Sequence, residues 1–201
     1  MTEIIPLFST PIIKTLIEED TTCLNEEVKK VDFERSGNLE STVKTNKRIL
    51  KKFPRVKKIL LNRFKEIISN DLEYYNDFEI TTSWFIKTNP EQYSQIHVHR
   101  NSFYSGVYYF DEYEEGSSPI LFENPLKQYP DYYIRPKNYN ILNGTTWKIW
   151  PEKNLLLLFP SYLPHNVMKN ESNKIRYSLS FNIVPVGEYG GGDSTYNKEW
   201  I

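Results

Sequence analysis

Residues 175–184 alternate: Ile175, Tyr177, Leu179, Phe181 and Ile183 stand against Arg176, Ser178, Ser180 and Asn182. That period of two puts one face of a strand into an apolar core and sends the polar set the other way. Shorter stretches read as further strands: 78–86, rich in β-branched and aromatic residues, then 95–99, 103–110, 119–122, 145–149 and 154–159. Turn formers divide them, among them Asn89-Pro90, Arg100-Asn101-Ser102, Gly116 and the run from Pro151 to Asn154. Short strands in series with little helix predict a mainly β second half, a double-sheet jelly roll or cupin-like barrel.

The first half has a different texture. Ile49, Leu50, Phe53, Val56, Leu60, Phe64, Ile67 and Ile68 recur at steps of three and four, predicting a helix over 47–69. Pro54 fits in the first turn of the main helix, with Phe53 just outside it, and Asn70-Asp71 end the helix. Cys23, Leu24, Val28 and Val31 predict a short helix over 22–31, with Cys23 as a small buried hydrophobe. Residues 4–13 read as an extended apolar arm, because Pro6 and Pro11 forbid a helix interior, and 32–46 as a polar surface loop. The Tyr- and Pro-rich stretch 124–140 reads as a structured loop over a pocket, its 125–139 portion facing substrate. The tail carries Gly190-Gly191-Gly192 and is expected to be partly flexible, with Trp200 and Ile201 docking back or meeting a partner. The organisation expected is an arm and a buttress of N-terminal helices (1–77), a catalytic barrel core (78–185) and a Gly-rich tail (186–201).

Composition narrows this picture. The chain has 201 residues, enough for one domain with appendages, and its 15 Tyr, 11 Phe and 4 Trp favour sheet. The net charge of −1 gives nucleic acid no global support. One cysteine excludes an internal disulfide and a Cys-based metal site. No apolar run approaches a membrane span, and no basic segment followed by an apolar one opens the chain, so a cytoplasmic location is expected. From Lys44 to Lys58 there are eight Lys or Arg and no acid. They make a solvated face or a patch for an anionic partner. The acids of 111–118 read as a solvated loop rather than a metal site.

Candidate chemistry starts at Gln95-Ile96-His97-Val98-His99. Residues two apart on a strand share a face, so the two imidazoles can reach one ion. The third and last histidine, His165, lies in the Pro-stiffened turn Leu163-Pro164-His165-Asn166-Val167. Neutral imidazole suits iron, zinc and other first-row ions, and three protein ligands leave positions open for catalysis. Arg176 sits on the polar face of its strand with Ser178, Ser180 and Asn182. A guanidinium there can clamp a carboxylate, and Ser178 can add a hydroxyl. A dicarboxylate co-substrate chelating the metal at one end and meeting Arg176 at the other satisfies both groups.

These residues carry a resemblance. His97-Val98-His99-Arg100-Asn101-Ser102-Phe103-Tyr104-Ser105-Gly106-Val107-Tyr108-Tyr109 resembles the signature of 2-oxoglutarate/Fe(II)-dependent oxygenases of bacteria and of tailed phages of marine bacteria. Leu7-Phe8-Ser9-Thr10-Pro11, Leu158 to Val167, and Arg176 to Asn182 resemble further pieces of that family. The resemblance implies a double-stranded β-helix that binds Fe(II) and 2-oxoglutarate, uses O2 and hydroxylates an unknown prime substrate. It implies metal ligands at His97, His99 and His165, and co-substrate contacts at Arg176, with Ser178, Asn182 and Tyr108 (or Ser105) added. The host cytoplasm is implied if the gene is a phage's, and a homodimer is left open.

His99 stands where the wider superfamily has a carboxylate. Either it ligates, leaving the site one negative charge short, or it supports a site completed by Asn101 or Glu123. Two rivals remain at this point. One is a cupin-type metal enzyme without 2-oxoglutarate, although such proteins add a Glu soon after the paired histidines and residues 100–104 have none. The other is a non-catalytic binding protein on the same barrel, with the basic run 44–58 as its surface.

Overall fold

The computed structural model describes residues 3–6, 9–125 and 135–198. In chain order the elements are β1 (Ile13–Leu16), α1 (Cys23–Glu27), β2 (Glu34–Ser36), β3 (Leu39–Ser41), α2 (Pro54–Asn70), β4 (Asp77–Thr88), β5 (Tyr104–Tyr109), β6 (Ile120–Glu123), β7 (Thr146–Ile149), β8 (Leu155–Pro160), β9 (His165–Val167), β10 (Arg176–Tyr189) and β11 (Tyr196–Lys198). The larger sheet runs β1-β8-β5-β10-β4-β3-β2, with β11 hairpinned onto the end of β10; the smaller runs β7-β6-β9. All named pairings are antiparallel. This is a double-stranded β-helix with helices on one side.

The larger sheet has an apolar layer on each face. Its inner face packs on the smaller sheet through Val107, Tyr109, Leu155, Leu157 and Phe159, which meet Ile120, Phe122 and Ile149. Its outer face packs through Tyr108, Leu156, Leu158, Leu179, Phe181 and Ile183 on the helical layer. Strands covered on both sides read as continuous apolar runs, which accounts for Leu155 to Phe159. On β10 the outer face takes the apolar alternates, and Arg176, Ser178, Ser180 and Asn182 take the inner one.

The long helix forms as two pieces. Ile49–Lys52 make a 3₁₀ turn and α2 begins at Pro54. Phe53 between them has φ −127° and ψ 65°, because a residue before proline is kept out of the helical region. Val56, Leu60, Phe64 and Ile68 then recur at steps of four and are buried, each side chain contributing about 1.5–3 kcal/mol.

Several expectations are corrected. Residues 32–46 are not a loop throughout: β2 and β3 form a hairpin that extends the larger sheet through β4. Gly37 opens its two-residue turn at φ +68°, a conformation glycine adopts without penalty. Cys23 is exposed; α1 is only five residues long and buries the Leu24–Val28 stripe instead. Residues 95–99 form a single bridge at His97 rather than a strand, and β9 adds a short strand at His165. The tail returns as β11 on Gly187–Tyr189. The segment 1–77 supplies β1, β2 and β3 to the same sheet as the barrel core. Leu7, Phe8, Trp200, Ile201 and residues 126–134 of the Tyr- and Pro-rich stretch lie outside the described residues. No described helix is long and apolar enough to cross a membrane.

Candidate metal centre

The three histidines meet because of register. His97 and His165 face each other across an antiparallel bridge and exchange both backbone hydrogen bonds at 3.0 Å. Directly opposed residues send their side chains to the same side, and here the ring centroids are 4.5 Å apart. His99 follows two residues after His97, where its N–H donates to Ser161 O at 2.9 Å. Its ring centroid lies 5.3 Å from His97 and 5.1 Å from His165. The ligand-capable nitrogens all lie within 4.8 Å of one another. Metal–nitrogen bonds of about 2.0–2.1 Å bring such nitrogens closer still, through small ring rotations.

Each Nδ1 is already engaged. His97 Nδ1 bonds Gln95 O at 2.8 Å, His165 Nδ1 bonds Leu163 O at 2.8 Å, and His99 Nδ1 bonds Asn182 Oδ1 at 2.7 Å. A carbonyl oxygen only accepts, so each Nδ1 carries the hydrogen and a neutral ring keeps its lone pair on Nε2. Burial, followed by the nearby His97, pushes the His165 pKa down to about 3. Burial also lowers that of His99, against the Asn182 hydrogen bond. Both are therefore neutral at physiological pH, the form that ligates. The residues present fit a first-row ion.

The far end of the inner face holds a buried cation. Arg176 is 2% exposed. Its Nη1 donates to Ser178 Oγ at 3.3 Å and Nη2 to Tyr109 Oη at 3.1 Å, and the guanidinium lies 5.0 Å from the Tyr109 ring centre. Its Nε has no partner, and no carboxylate among the described residues pairs with it. A buried cation left this way calls for an anionic ligand. Tyr113 packs edge-on against Tyr109 at 5.6 Å and donates to Tyr177 O at 2.6 Å. Burial raises the pKa of both phenols despite the adjacent arginine, so both keep their protons.

The expected residues divide as follows. His97, His99 and His165 converge, and Arg176 and Ser178 are in contact. Asn182 meets His99 through its Oδ1. Tyr108 points to the outer face, where its hydroxyl meets Thr21 at 2.7 Å; Tyr109, one residue on, faces Arg176. Ser105 Oγ lies 2.9 Å from His99 Nδ1, so it too belongs to the histidine end. Asn101 occupies an exposed turn at φ +58°, and Glu123 is not among the groups gathered with the histidines. Three of the four acids of 111–115 are engaged elsewhere: Asp111 accepts from Asn25, Glu112 pairs with Lys153 and Glu114 with Lys174. Sequence reasoning missed Tyr109, Tyr113, Thr82, Ser161 and Trp84, whose ring centroid is 5.7 Å from His99. Strand parity was a readable signal for one of them: Ser105 and Tyr109 are four apart and share a face, whereas Tyr108 cannot join them.

A jelly roll that gathers three imidazoles and a buried, acid-free guanidinium fits the class of metal-dependent enzymes that take an anionic co-substrate. Residues 82–182, half the chain, match the 2OG-Fe(II) oxygenase family, and the chain belongs to it. It is a 2-oxoglutarate/Fe(II)-dependent dioxygenase, with Fe(II) as cofactor and 2-oxoglutarate as co-substrate. The fold is shared with HygX from Streptomyces hygroscopicus, solved with nickel, 2-oxoglutarate and hygromycin B (10% identity, 88% of this chain and 83% of that one, TM-score 0.62). It is shared with a Pseudomonas putida prolyl-4-hydroxylase (13% identity, 88% and 94%, TM-score 0.57) and with SnoN, an epimerase of nogalamycin biosynthesis (8% identity, 90% and 80%, TM-score 0.62). No curated protein matches the chain in sequence.

Proposed function

We propose that the enzyme is a hydroxylase. In this reading His97, His99 and His165 hold Fe(II) through their Nε2 atoms, and Arg176, Ser178 and Tyr109 take the far carboxylate of 2-oxoglutarate. The observation that carries the assignment is the set of three Nδ1 atoms committed to oxygen acceptors, which leaves three converging lone pairs. When bound, the iron couples oxidative decarboxylation of 2-oxoglutarate by O2, giving succinate and CO2, to insertion of the second oxygen atom into a substrate C–H bond.

The chain's own residues bind, orient and exclude water. The neutral rings of His99 and His165 bind without first shedding protons. Arg176 supplies charge and a fork of donors, and the protonated Tyr109 can donate to the same carboxylate. Between Arg176 and Asn182 the inner face carries Ser178 and Ser180, small side chains that leave room above the strand; both are buried. Residues 78–185 carry the chemistry on this reading, with 1–77 as buttress and 186–201 as tail.

The test is an anaerobic titration of Fe(II) and then 2-oxoglutarate, followed by visible absorbance. A charge-transfer band on adding 2-oxoglutarate is expected. Arg176→Met, which keeps most of the buried volume, should retain the metal and lose the band at co-substrate concentrations that saturate the wild type. No band between pH 6 and 8 in the wild type overturns the assignment. Hydroxylation itself is read as a mass gain of one oxygen in a captured substrate.

A further inference from the structure

His97 and His165 take their tautomers from backbone oxygens two residues earlier, Gln95 O and Leu163 O. Those acceptors are part of the main chain and cannot turn into donors. His99 alone depends on a side chain, and that side chain is an amide with one accepting and one donating end. Asn182 Oδ1 faces His99 Nδ1 at 2.7 Å, and Asn182 Nδ2 donates to Thr82 Oγ1 at 3.0 Å. Ser105 Oγ donates to the same Oδ1 at 3.1 Å and lies 2.8 Å from Ser161 Oγ. Turned by half a revolution, the amide would donate to Nδ1. The hydrogen of a neutral His99 would then sit on Nε2 and face the ion. Which end of Asn182 meets His99 thus decides whether this ring can ligate.

We propose that Asn182 is the positioning residue that makes His99 a metal ligand. Its carboxamide, anchored through Nδ2 on Thr82 and through Oδ1 on Ser105, turns its oxygen to the imidazole, keeps the ring in the Nδ1–H tautomer and presents the Nε2 lone pair to the ion. The placement follows from the strands: Asn182 is registered against Ser105 on β5 and against Thr82 on β4, so all three share the inner face below His99. The inference rests on the metal reading given above. It also explains how a neutral third ligand is kept where a carboxylate would need no such control. Outer partners of this kind commonly change metal affinity by about 10- to 100-fold.

The test compares wild type, Asn182→Leu and Asn182→Asp in two measurements. The first is the nitrogen–proton correlation spectrum of the imidazoles in metal-free protein, which reports each tautomer directly. The second is Co(II) affinity, with the visible spectrum of the bound ion. His99 should be Nδ1–H in the wild type and in Asn182→Asp, whose ionised carboxylate can only accept. In Asn182→Leu the hydroxyl of Ser105 is free to donate to Nδ1, and His99 should move to Nε2–H. Co(II) should then bind about 10- to 100-fold more weakly with an altered visible spectrum, while Asn182→Asp restores wild-type affinity or exceeds it. A merely structural role for Asn182 would not move the tautomer or be rescued by aspartate. An Nε2–H His99 in the wild type overturns the proposal, as does Asn182→Leu binding Co(II) like the wild type. Should Asn182→Leu fail to fold, the wild-type spectrum and Asn182→Asp still decide. Failure of the wild type to bind Co(II) or Fe(II) overturns the metal reading itself, independently of which tautomer the spectrum shows.

Discussion

Replacing Gly106 by alanine tests how the outer core holds the site's floor. Gly106 on β5 faces Phe181 on β10. A Cβ built on it falls 2.2 Å from Phe181 Cζ, with two further ring carbons at 2.5 and 2.7 Å. These are far inside contact distance, and Phe181 is 0% exposed within the outer core. The ring is enclosed by that core, so either it leaves its rotamer or the two strands part. Overpacking of this kind costs about 1–3 kcal/mol, occasionally more. Full loss of a buried phenylalanine, about 3–5 kcal/mol, sets the upper bound. We expect about 3 kcal/mol, or roughly 6–12 °C in Tm for a chain of this length. The perturbation also reaches the chemistry, because Ser105 flanks Gly106 and Ser180 and Asn182 flank Phe181. Strand separation there would loosen the His99–Asn182 bond. The assay is urea unfolding monitored by circular dichroism, with Co(II) affinity measured on the folded variant. The midpoint should fall with an unchanged slope, and Phe181→Leu should recover part of the loss in the double variant. A Gly106→Ala protein within 0.5 kcal/mol of the wild type, the range of an ordinary surface substitution, would refute the packing argument.

Two further outcomes separate ends and faces of the site. Tyr109→Phe should weaken 2-oxoglutarate binding by about 1.5–3 kcal/mol, the range for a hydrogen bond to a charged group, and leave Co(II) affinity unchanged. Tyr108→Phe should instead cost about 0.5–1.5 kcal/mol of stability, through its lost bond to Thr21, without touching co-substrate affinity; titration calorimetry on both variants reads the difference, and a reversed pattern refutes the face assignment. The metal-free protein should also weaken on acidification. His165 has a folded pKa near 3 against an ordinary 6.5, so the unfolded chain binds the proton first. Stability is complete above about pH 6.5, falls as the pH drops toward 3 and then levels, by up to about 5 kcal/mol at roughly 1.4 kcal/mol per unit. Urea midpoints at pH 7.5, 6 and 5 measure it; His165→Asn should flatten the profile, and an equally flat wild type would refute the shift.

Much of the fold was legible because its strongest signals are local. The alternation of 175–184 required one apolar and one polar face, and β10 has them. The continuous run 155–159 marked a strand buried on both sides. Pro54 fixed the start of α2, since its missing N–H is harmless only in the first turn. The failures also have local causes. The β2–β3 hairpin is short and polar on its outward face, so its apolar signal reduces to Leu39, and only Gly37-Asn38 announced the turn. Cys23 was assigned to a helical stripe longer than the five residues that form. Residues 95–99 lie alongside β9 with one bridge and a few backbone bonds, a pairing decided by distant partners.

The histidine end of the site was legible for a reason that the anion end does not share. Two histidines at i, i+2 constrain each other through strand parity alone, and a third in a stiff turn needs only one cross-strand pairing to join them. Choosing between Tyr108 and Tyr109 required knowing which face of β5 meets the smaller sheet, and two adjacent tyrosines give opposite answers with equal chemistry. Parity still limits the choice: Ser105 beside His99 and Tyr108 beside Arg176 cannot both hold on one strand. Asn182 shows where reading by residue type stops. An amide on the polar face of β10 can serve a carboxylate or a histidine equally well. Its register against Ser105 and Thr82, fixed by strands more than 70 residues away in sequence, turns it toward the ring. A metal centre made only of neutral ligands thereby comes to depend on which way one uncharged side chain points.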